Sequence, residues 1–125
     1  MRLFHGTSIK SLLGMICWGI TAMDRFDAIP EEWGKTVCVY DSLEKAKGVA
    51  SYFGPDGVVL ELDIIDESLI HFHPDYGCDP EFDTIHIAGD VSFDDVIDLV
   101  AAPDYNREEI RPAGMPLREW KESLQ

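Results

Sequence analysis

Residues 2–7 (Arg-Leu-Phe-His-Gly-Thr) bring together three groups that could do chemistry in one place. The imidazole of His5, the bare backbone of Gly6 and the hydroxyl of Thr7 follow one another at the end of a β-rich run. Because glycine has no Cβ, a flat ligand can approach the main chain closely there. This combination suits a dinucleotide ligand better than a hydrophobic core. The alternative interpretation is structural, with His5 ending an edge strand and Gly6 making the turn.

The elements that must position these groups follow a mixed order of strands and helices. Thr7 and Ser8 offer N-cap oxygens for a helix over residues 9–18, where apolar side chains recur at helical spacing. Gly19 is placed to end that helix in the left-handed conformation. Further strands are predicted over 36–40, 58–64, 84–88 and 96–100, further helices over 43–53 and 117–124, and a loop over 71–82. The order predicts an α+β fold.

Length and composition favour one globular unit. The 125 residues are 46% hydrophobic, which predicts a single domain over residues 1–125 with a real core. No apolar run reaches the length of a membrane span, and the N-terminus lacks the layout of a signal peptide. The three cysteines are odd in number and lack paired close spacing. They therefore predict a reduced, cytoplasmic protein that uses cysteine as a small apolar filler.

The charge of the chain is strongly and unevenly acidic. The formal net charge is -14, and no lysine or arginine occurs between Lys47 and Arg107. Such a surface repels the phosphate backbone, so we expect no direct binding of DNA or RNA. It could instead attract a basic partner surface, or simply keep the protein soluble. The carboxylates in that span are Asp56, Glu61, Asp63, Asp66, Glu67, Asp75, Asp79, Glu81, Asp83, Asp90, Asp94, Asp95, Asp98 and Asp104.

Read with its motifs, the chain resembles the ADP-ribosyltransferase fold of the diphtheria-toxin-like, His-Tyr-Glu class. That class includes the poly(ADP-ribose) polymerases, DNA-modifying toxins and RNA 2′-phosphotransferases. The resemblance extends from Leu3 to Val100 in scattered motifs, the first being His5-Gly6-Thr7 before a helix that ends in Gly19-Ile20. It implies a small split β-sheet core with flanking helices, and NAD as co-substrate.

The resemblance also implies roles for individual residues. His5 would hydrogen-bond the adenosine ribose of NAD, the backbone of Gly6 would hold the nicotinamide carboxamide, and Thr7 would line the same pocket. In the second motif a strand precedes a helix whose tyrosine stacks on nicotinamide. Tyr40 and Tyr52 are the candidates here, although the usual positions fall nearer Cys38 and Val49. For each tyrosine the alternative is a structural ring with its hydroxyl in water.

The third motif places a glutamate at the start of a strand, where it steadies the transition state as nicotinamide leaves. No glutamate stands at that point here. Asp83 is the first candidate to replace it, Glu81 is close, and another register would place Thr84 there. Because oriented charge often supplies the largest catalytic contribution, the loss of a carboxylate would be costly for rate. Either Asp83 substitutes, or the acid comes from elsewhere, or the domain binds without turnover.

A metal site is the remaining candidate for chemistry. His71, His73 and Cys78 are close in sequence, and alternate histidines on an extended segment share a side. A fourth ligand is not evident, and we expect no metal site.

Two functions are therefore predicted. The first is an NAD-dependent mono-ADP-ribosyltransferase of a macromolecular target, preferably a basic protein, as a phage or mobile-element effector. The second is an acidic interaction module or inhibitor, either a nucleic-acid mimic or a degenerate transferase fold, that binds a basic partner without catalysis.

Overall fold

The computed structural model describes residues 1–24, 29–79, 83–101 and 117–123. Within these residues the fold is α+β, as predicted, with two antiparallel three-stranded sheets and flanking helices. Short turns of 3-10 helix interrupt the loops at Glu31–Trp33, Ser51–Asp56, Glu67–Leu69 and Phe93–Asp95.

The first sheet contains β1 (Arg2–Ser8), β3 (Gly57–Asp63) and β6 (Val96–Ala101), in the order β1-β3-β6. Residues Val58 to Leu60 are fully buried, so β3 is covered on both faces as the central strand of its sheet. This burial agrees with the β-branched and apolar run that predicted the strand.

The second sheet contains β2 (Thr36–Val39), β4 (Ile70–Phe72) and β5 (Ile85–Ala88), in the order β2-β5-β4. Strand β4 lies where the sequence predicted the beginning of a loop, so that boundary was wrong. Its three residues are too few to show a strand pattern of their own. They become a strand because Ile70 pairs with Ile87 across the ladder.

In the described residues, an isolated bridge joins the two sheets. Phe4 of β1 and Tyr40, directly after β2, form an antiparallel bridge with two backbone hydrogen bonds of 2.8 Å. At the next residue of β1 the imidazole of His5, rather than a backbone amide, bonds the carbonyl of Cys38 at 2.9 Å. The sheets therefore separate beyond the bridge, which agrees with the split core that we expected.

Helices α1 (Ile9–Trp18), α2 (Leu43–Ala50) and α3 (Leu117–Ser123) flank these sheets. The Ser8 hydroxyl caps α1 by accepting from the Ser11 amide, and Gly19 ends α1 at φ 72°. The serine cap follows from the residue type at the helix start. Gly19 has the positive φ that glycine allows, but its ψ of -167° lies outside the left-handed helical conformation that was predicted. Helix α2 packs on β1 and β3 through Ala46 and Ala50, which are fully buried.

Within the described ranges, no helix is long and apolar enough to cross a membrane.

All three cysteines are free thiols. Cys17 and Cys78 are exposed, so the expectation that they serve as buried apolar fillers was wrong for these two. Cys17 lies in an apolar stretch of sequence, in the last turn of α1. An apolar stretch does not by itself predict which face of a helix is buried.

Candidate functional site

A cleft opens where the two sheets separate, and we call it the junction cleft. Its volume is about 810 Å³, within the range of small-molecule sites in proteins. The end of β1, one face of α1, strand β2 and the end of α2 form its walls. Among the described residues that line it, none is aspartate, glutamate, lysine or arginine. Recognition here therefore depends on hydroxyls, aromatic rings, backbone and one imidazole.

Helix α1 presents one face to the junction cleft. Ser11, Gly14, Met15 and Trp18 all line it, and their spacing of three, four and seven residues places them on one side of a helix. The side chain of Trp18 is 79% exposed at the edge of the cleft. The sequence predicted this helix by its apolar spacing. The packing of α1 against the rest of the protein determines which face of this helix lines the cleft.

His5 is held in the cleft wall by the opposite sheet. Nδ1 of His5 makes a hydrogen bond with the Cys38 carbonyl oxygen. Because a carbonyl oxygen can only accept a hydrogen bond, Nδ1 carries the proton. In the neutral imidazole Nε2 is then the acceptor nitrogen. The residue predicted to bind a ribose therefore lines the junction cleft in a defined tautomer.

Gly6 lines the same cleft, and it also lies against α2. A Cβ built at Gly6 would come within 2.7 Å of the Ala46 carbonyl oxygen and 3.1 Å of the Ala50 amide nitrogen. Both are backbone atoms of α2 that cannot turn aside. Helix packing therefore requires glycine here with or without a ligand. The predicted contact between this backbone and a carboxamide stays a prediction.

Thr7 and Tyr40 also line the junction cleft. Thr7 is buried, and Tyr40 is half-buried with its hydroxyl 3.8 Å from the Cys38 thiol sulfur. Their positions follow from the bridge of Phe4 with Tyr40, which draws the end of β2 to the middle of β1.

Tyr52 lies outside the described lining of the cleft, with 89% of its surface exposed. Helix α2 ends at Ala50, and Tyr52 stands in the 3-10 turn that follows. Val49 and Phe53 line the cleft instead. The sequence analysis named Val49 only as lying near the usual position of the stacking tyrosine, and it missed Phe53, although the i, i+4 spacing of the two on the predicted helix was a usable signal.

Asp83 also lies outside the lining, next to Thr84, which is part of it. One carboxylate oxygen of Asp83 accepts from the Gly77 amide at 3.0 Å and the other is 3.2 Å from Lys45 Nζ. The Gly77 amide first, and Lys45 second, hold the pKa of Asp83 below its usual range. Asp83 is therefore ionised at neutral pH and tied to a cation.

Lys45 joins Asp83 to a second carboxylate. Its Nζ is 3.4 Å from Asp41, which in turn accepts a hydrogen bond from the Tyr76 hydroxyl. Burial opposes the charge on Lys45, but the bonds to Asp83 and Asp41 outweigh it and raise the pKa of Lys45. The bond to Asp41, followed by burial, raises the pKa of Tyr76 because both disfavour the phenolate. This network ties the start of α2 to the segment before β5.

We expect this network to make stability depend on pH. A lowered native pKa means that Asp83 stabilises the fold above the usual aspartate range, and that the contribution is lost as the pH falls through the lowered pKa. Urea unfolding from neutral pH to about pH 3 should therefore show a smaller acid loss of stability in Asp83→Asn than in the wild type. Asp56→Asn, at an exposed carboxylate, is the control. Equal losses in wild type and Asp83→Asn would contradict the expectation.

The two histidines of the predicted loop make contacts within the protein. His71 stacks on Trp33 with ring centroids 4.7 Å apart, and His73 is buried and accepts from the Asp75 amide through Nδ1. Cys78 is exposed. In the part of the chain that the structure describes, no three histidine, cysteine or carboxylate side chains are grouped so that they could hold a metal ion.

Comparison with models of protein families gives no match for this chain. Comparison with curated protein sequences also gives no match.

Proposed function

We propose that this protein binds NAD in the junction cleft and is a mono-ADP-ribosyltransferase acting on a macromolecular target. The proposal rests on one observation. His5, Gly6, Thr7 and Tyr40, which the family resemblance links to NAD, all line one cleft at the separation of two sheets. A basic protein is the favoured target because the surface is acidic, and the proposed compartment is the cytoplasm.

The cleft offers groups for each part of such a ligand. Nε2 of His5 can accept a hydrogen bond from a ribose hydroxyl, since Nδ1 holds the proton. The ring of Tyr40 is the candidate to stack on nicotinamide. Trp18 and Phe53 at the edge are large, partly exposed aromatic side chains suited to the adenine.

The catalytic carboxylate stays the least supported part of the proposal. Asp83 remains the candidate because it directly precedes Thr84 in the cleft wall, and its lowered pKa keeps it charged. Its ion pair with Lys45 must loosen for the carboxylate to face a developing cation. Tyr52 also stays a prediction, and its exposure favours Phe53 or Tyr40 for ring stacking.

His5→Ala tests the proposal directly. We expect wild-type protein to bind NAD in a calorimetric titration and to release nicotinamide in the presence of a basic protein acceptor. His5→Ala should bind NAD about 10- to 100-fold more weakly, because removing a hydrogen-bonding partner at a ligand costs about 1–3 kcal/mol. It should release no nicotinamide above background.

The controls separate a lost ligand contact from a lost fold. His71→Ala removes an imidazole that does not line the cleft and should bind NAD like the wild type. His5→Asn places an amide nitrogen at the position of Nδ1, where it can donate to the Cys38 carbonyl, so it should fold even if alanine loosens the junction between the sheets. Wild-type protein that does not bind NAD would overturn the proposal. Binding without release would leave an NAD-binding domain without transferase activity.

A second candidate function is an acidic module that binds a basic protein. Two observations favour it. The described residues that line the cleft include no carboxylate that could assist catalysis, and the net charge of -14 would attract a basic partner. Its complex should weaken steeply as salt rises and should tolerate His5→Ala. The carboxylates exposed in the acidic span include Asp56, Asp66, Glu67, Asp75, Asp79, Asp90 and Asp94.

A further inference from the structure

A second cavity adjoins the junction cleft and shares Trp18 and Gly19 with it. We call it the Asp90 cavity. Its volume is about 480 Å³, within the range of ligand sites in proteins. The end of α1 forms one wall, and residues 90–94, which follow β5, form the other. The carboxylates of this second wall have no part in the proposed NAD site.

Backbone contacts hold the two walls of the Asp90 cavity together. Ile20 and Val91 form an antiparallel bridge with hydrogen bonds of 2.7 and 2.9 Å. A Cβ at Gly19 would clash with the Val91 carbonyl oxygen, so the end of α1 lies directly against the other wall. One carboxylate oxygen of Asp90 accepts from the Ala22 amide at 2.7 Å, which orients that side chain. The cavity is therefore pre-organised, and a ligand would not have to order its walls.

The charge of the Asp90 cavity favours a cation. Asp90 and Asp94 both line it and are both exposed, and the described lining includes no lysine or arginine. Within the described residues neither carboxylate has an ion pair. The second oxygen of Asp90 accepts no hydrogen bond from those residues. Both carboxylates can therefore accept hydrogen bonds from a cationic ligand.

Lys121 lies near this wall but is directed elsewhere. Its Nζ donates to the Phe93 carbonyl at 3.0 Å and lies 5.2 Å from the centroid of the Phe93 ring. Burial lowers the pKa of Lys121 by more than the nearby charges of Asp94 and Asp95 raise it. Lys121 therefore does not take the place of a bound cation.

Trp18 adds an aromatic wall to these carboxylates. Its side chain is 79% exposed, although large aromatic side chains are usually well buried. A guanidinium group is flat, stacks on an indole ring and donates pairs of hydrogen bonds to carboxylates. An ammonium group lacks both the flat face and the paired donors. A tryptophan beside two carboxylates therefore fits arginine better than lysine.

We propose that the Asp90 cavity binds an arginine side chain of a basic partner protein, with Trp18 against the guanidinium group and Asp90 and Asp94 as hydrogen-bond acceptors. The inference rests on the proposed function in one respect, that this partner is the target of the transferase. An indole ring has two faces, and Trp18 lines both cavities. An arginine bound here would hold the target beside the proposed NAD site.

The test titrates the full chain with acetyl-Gly-Arg-Gly-amide at low ionic strength, followed by the NMR signals of the backbone amides of residues 89–94. We expect a saturable shift with a dissociation constant in the millimolar range. The same peptide with citrulline, which has nearly the same shape without the charge, should bind about tenfold more weakly. The lysine peptide should fall between the two.

Charge variants separate the cavity from the acidic surface as a whole. Asp90→Asn keeps an oxygen for the Ala22 amide, and Asp94→Asn changes an exposed side chain. Each should weaken binding of the arginine peptide about three- to fivefold. Asp56→Asn removes the same charge outside the cavity and should change the dissociation constant less than twofold.

Aromatic variants test the ring in the same way. Trp18→Ala should weaken the arginine peptide about fivefold, because it removes the cation–π contact. Phe72→Ala removes another exposed aromatic side chain, which lines neither cavity, and should leave peptide binding unchanged.

The outcomes distinguish this inference from the function beneath it. No saturable shift with the arginine peptide, or equal binding of the citrulline peptide, would overturn the cavity assignment. Equal weakening by Asp56→Asn and Asp90→Asn would also overturn it, since it would show general attraction to an acidic surface. Discrimination in favour of arginine by a protein that does not bind NAD would overturn the proposed transferase and establish the cavity as part of an acidic binding module.

Discussion

Replacing Gly6 with alanine is expected to lower the free energy of unfolding by about 3 kcal/mol, although it adds a single methyl group. The new Cβ would lie 2.7 Å from the Ala46 carbonyl oxygen and 3.1 Å from the Ala50 amide nitrogen. To relieve these close contacts, α2 would have to move away from β1. The fully buried Ala46 and Ala50 pack α2 against the sheet and oppose that movement. The cost arises from overpacking a helix on a strand.

Urea and thermal unfolding measure this effect, with a fall in Tm of about 10 °C expected for a domain of this size. Gly48→Ala is a matched control, because it lies in the same helix α2 and a Cβ there meets no atom within 4 Å. It should stabilise the protein by up to about 1 kcal/mol through helix propensity. A Gly6→Ala protein of unchanged stability that no longer bound NAD would show that the ligand, and not α2, requires the glycine.

Trp120→Ala is expected to be the most destabilising single truncation, at about 4 kcal/mol. Trp120 is the largest side chain with no exposed surface, and it belongs to the same core as Phe93, with ring centroids 6.4 Å apart. The next residue, Lys121, donates to the Phe93 carbonyl at 3.0 Å. Alanine would leave a cavity in the core and loosen the attachment of α3.

Chemical denaturation of Trp120→Ala, beside Glu119→Ala on the exposed side of the same helix, measures that contribution. The control should change stability by no more than about 0.5 kcal/mol. Trp120→Phe should fall between the wild type and alanine because it keeps an aromatic ring in the cavity. A loss below about 1 kcal/mol for alanine would mean that α3 adds little to the core.

Local sequence signals predicted most of the elements but few of the partners in the cleft. Strand β1 and helix α1 were predictable because apolar spacing, the Ser8 cap and Gly19 act within a few residues. Strand β4 was not, since three residues form a strand only against β5. Phe53 lines the cleft and Tyr52 does not, because α2 ends at Ala50 before either residue. The direction in which the chain leaves the helix depends on packing.

The sequence by itself determined the α+β order of elements, the acidic surface and the candidate group His5-Gly6-Thr7, because these depend on residue type and short spacing. Only the tertiary structure decided that the Thr36 hydroxyl meets the buried imidazole of His86, that α2 occupies the space beside Gly6, and that Asp83 pairs with Lys45. These contacts join residues distant in sequence, and their positions depend on how two sheets and a helix pack together.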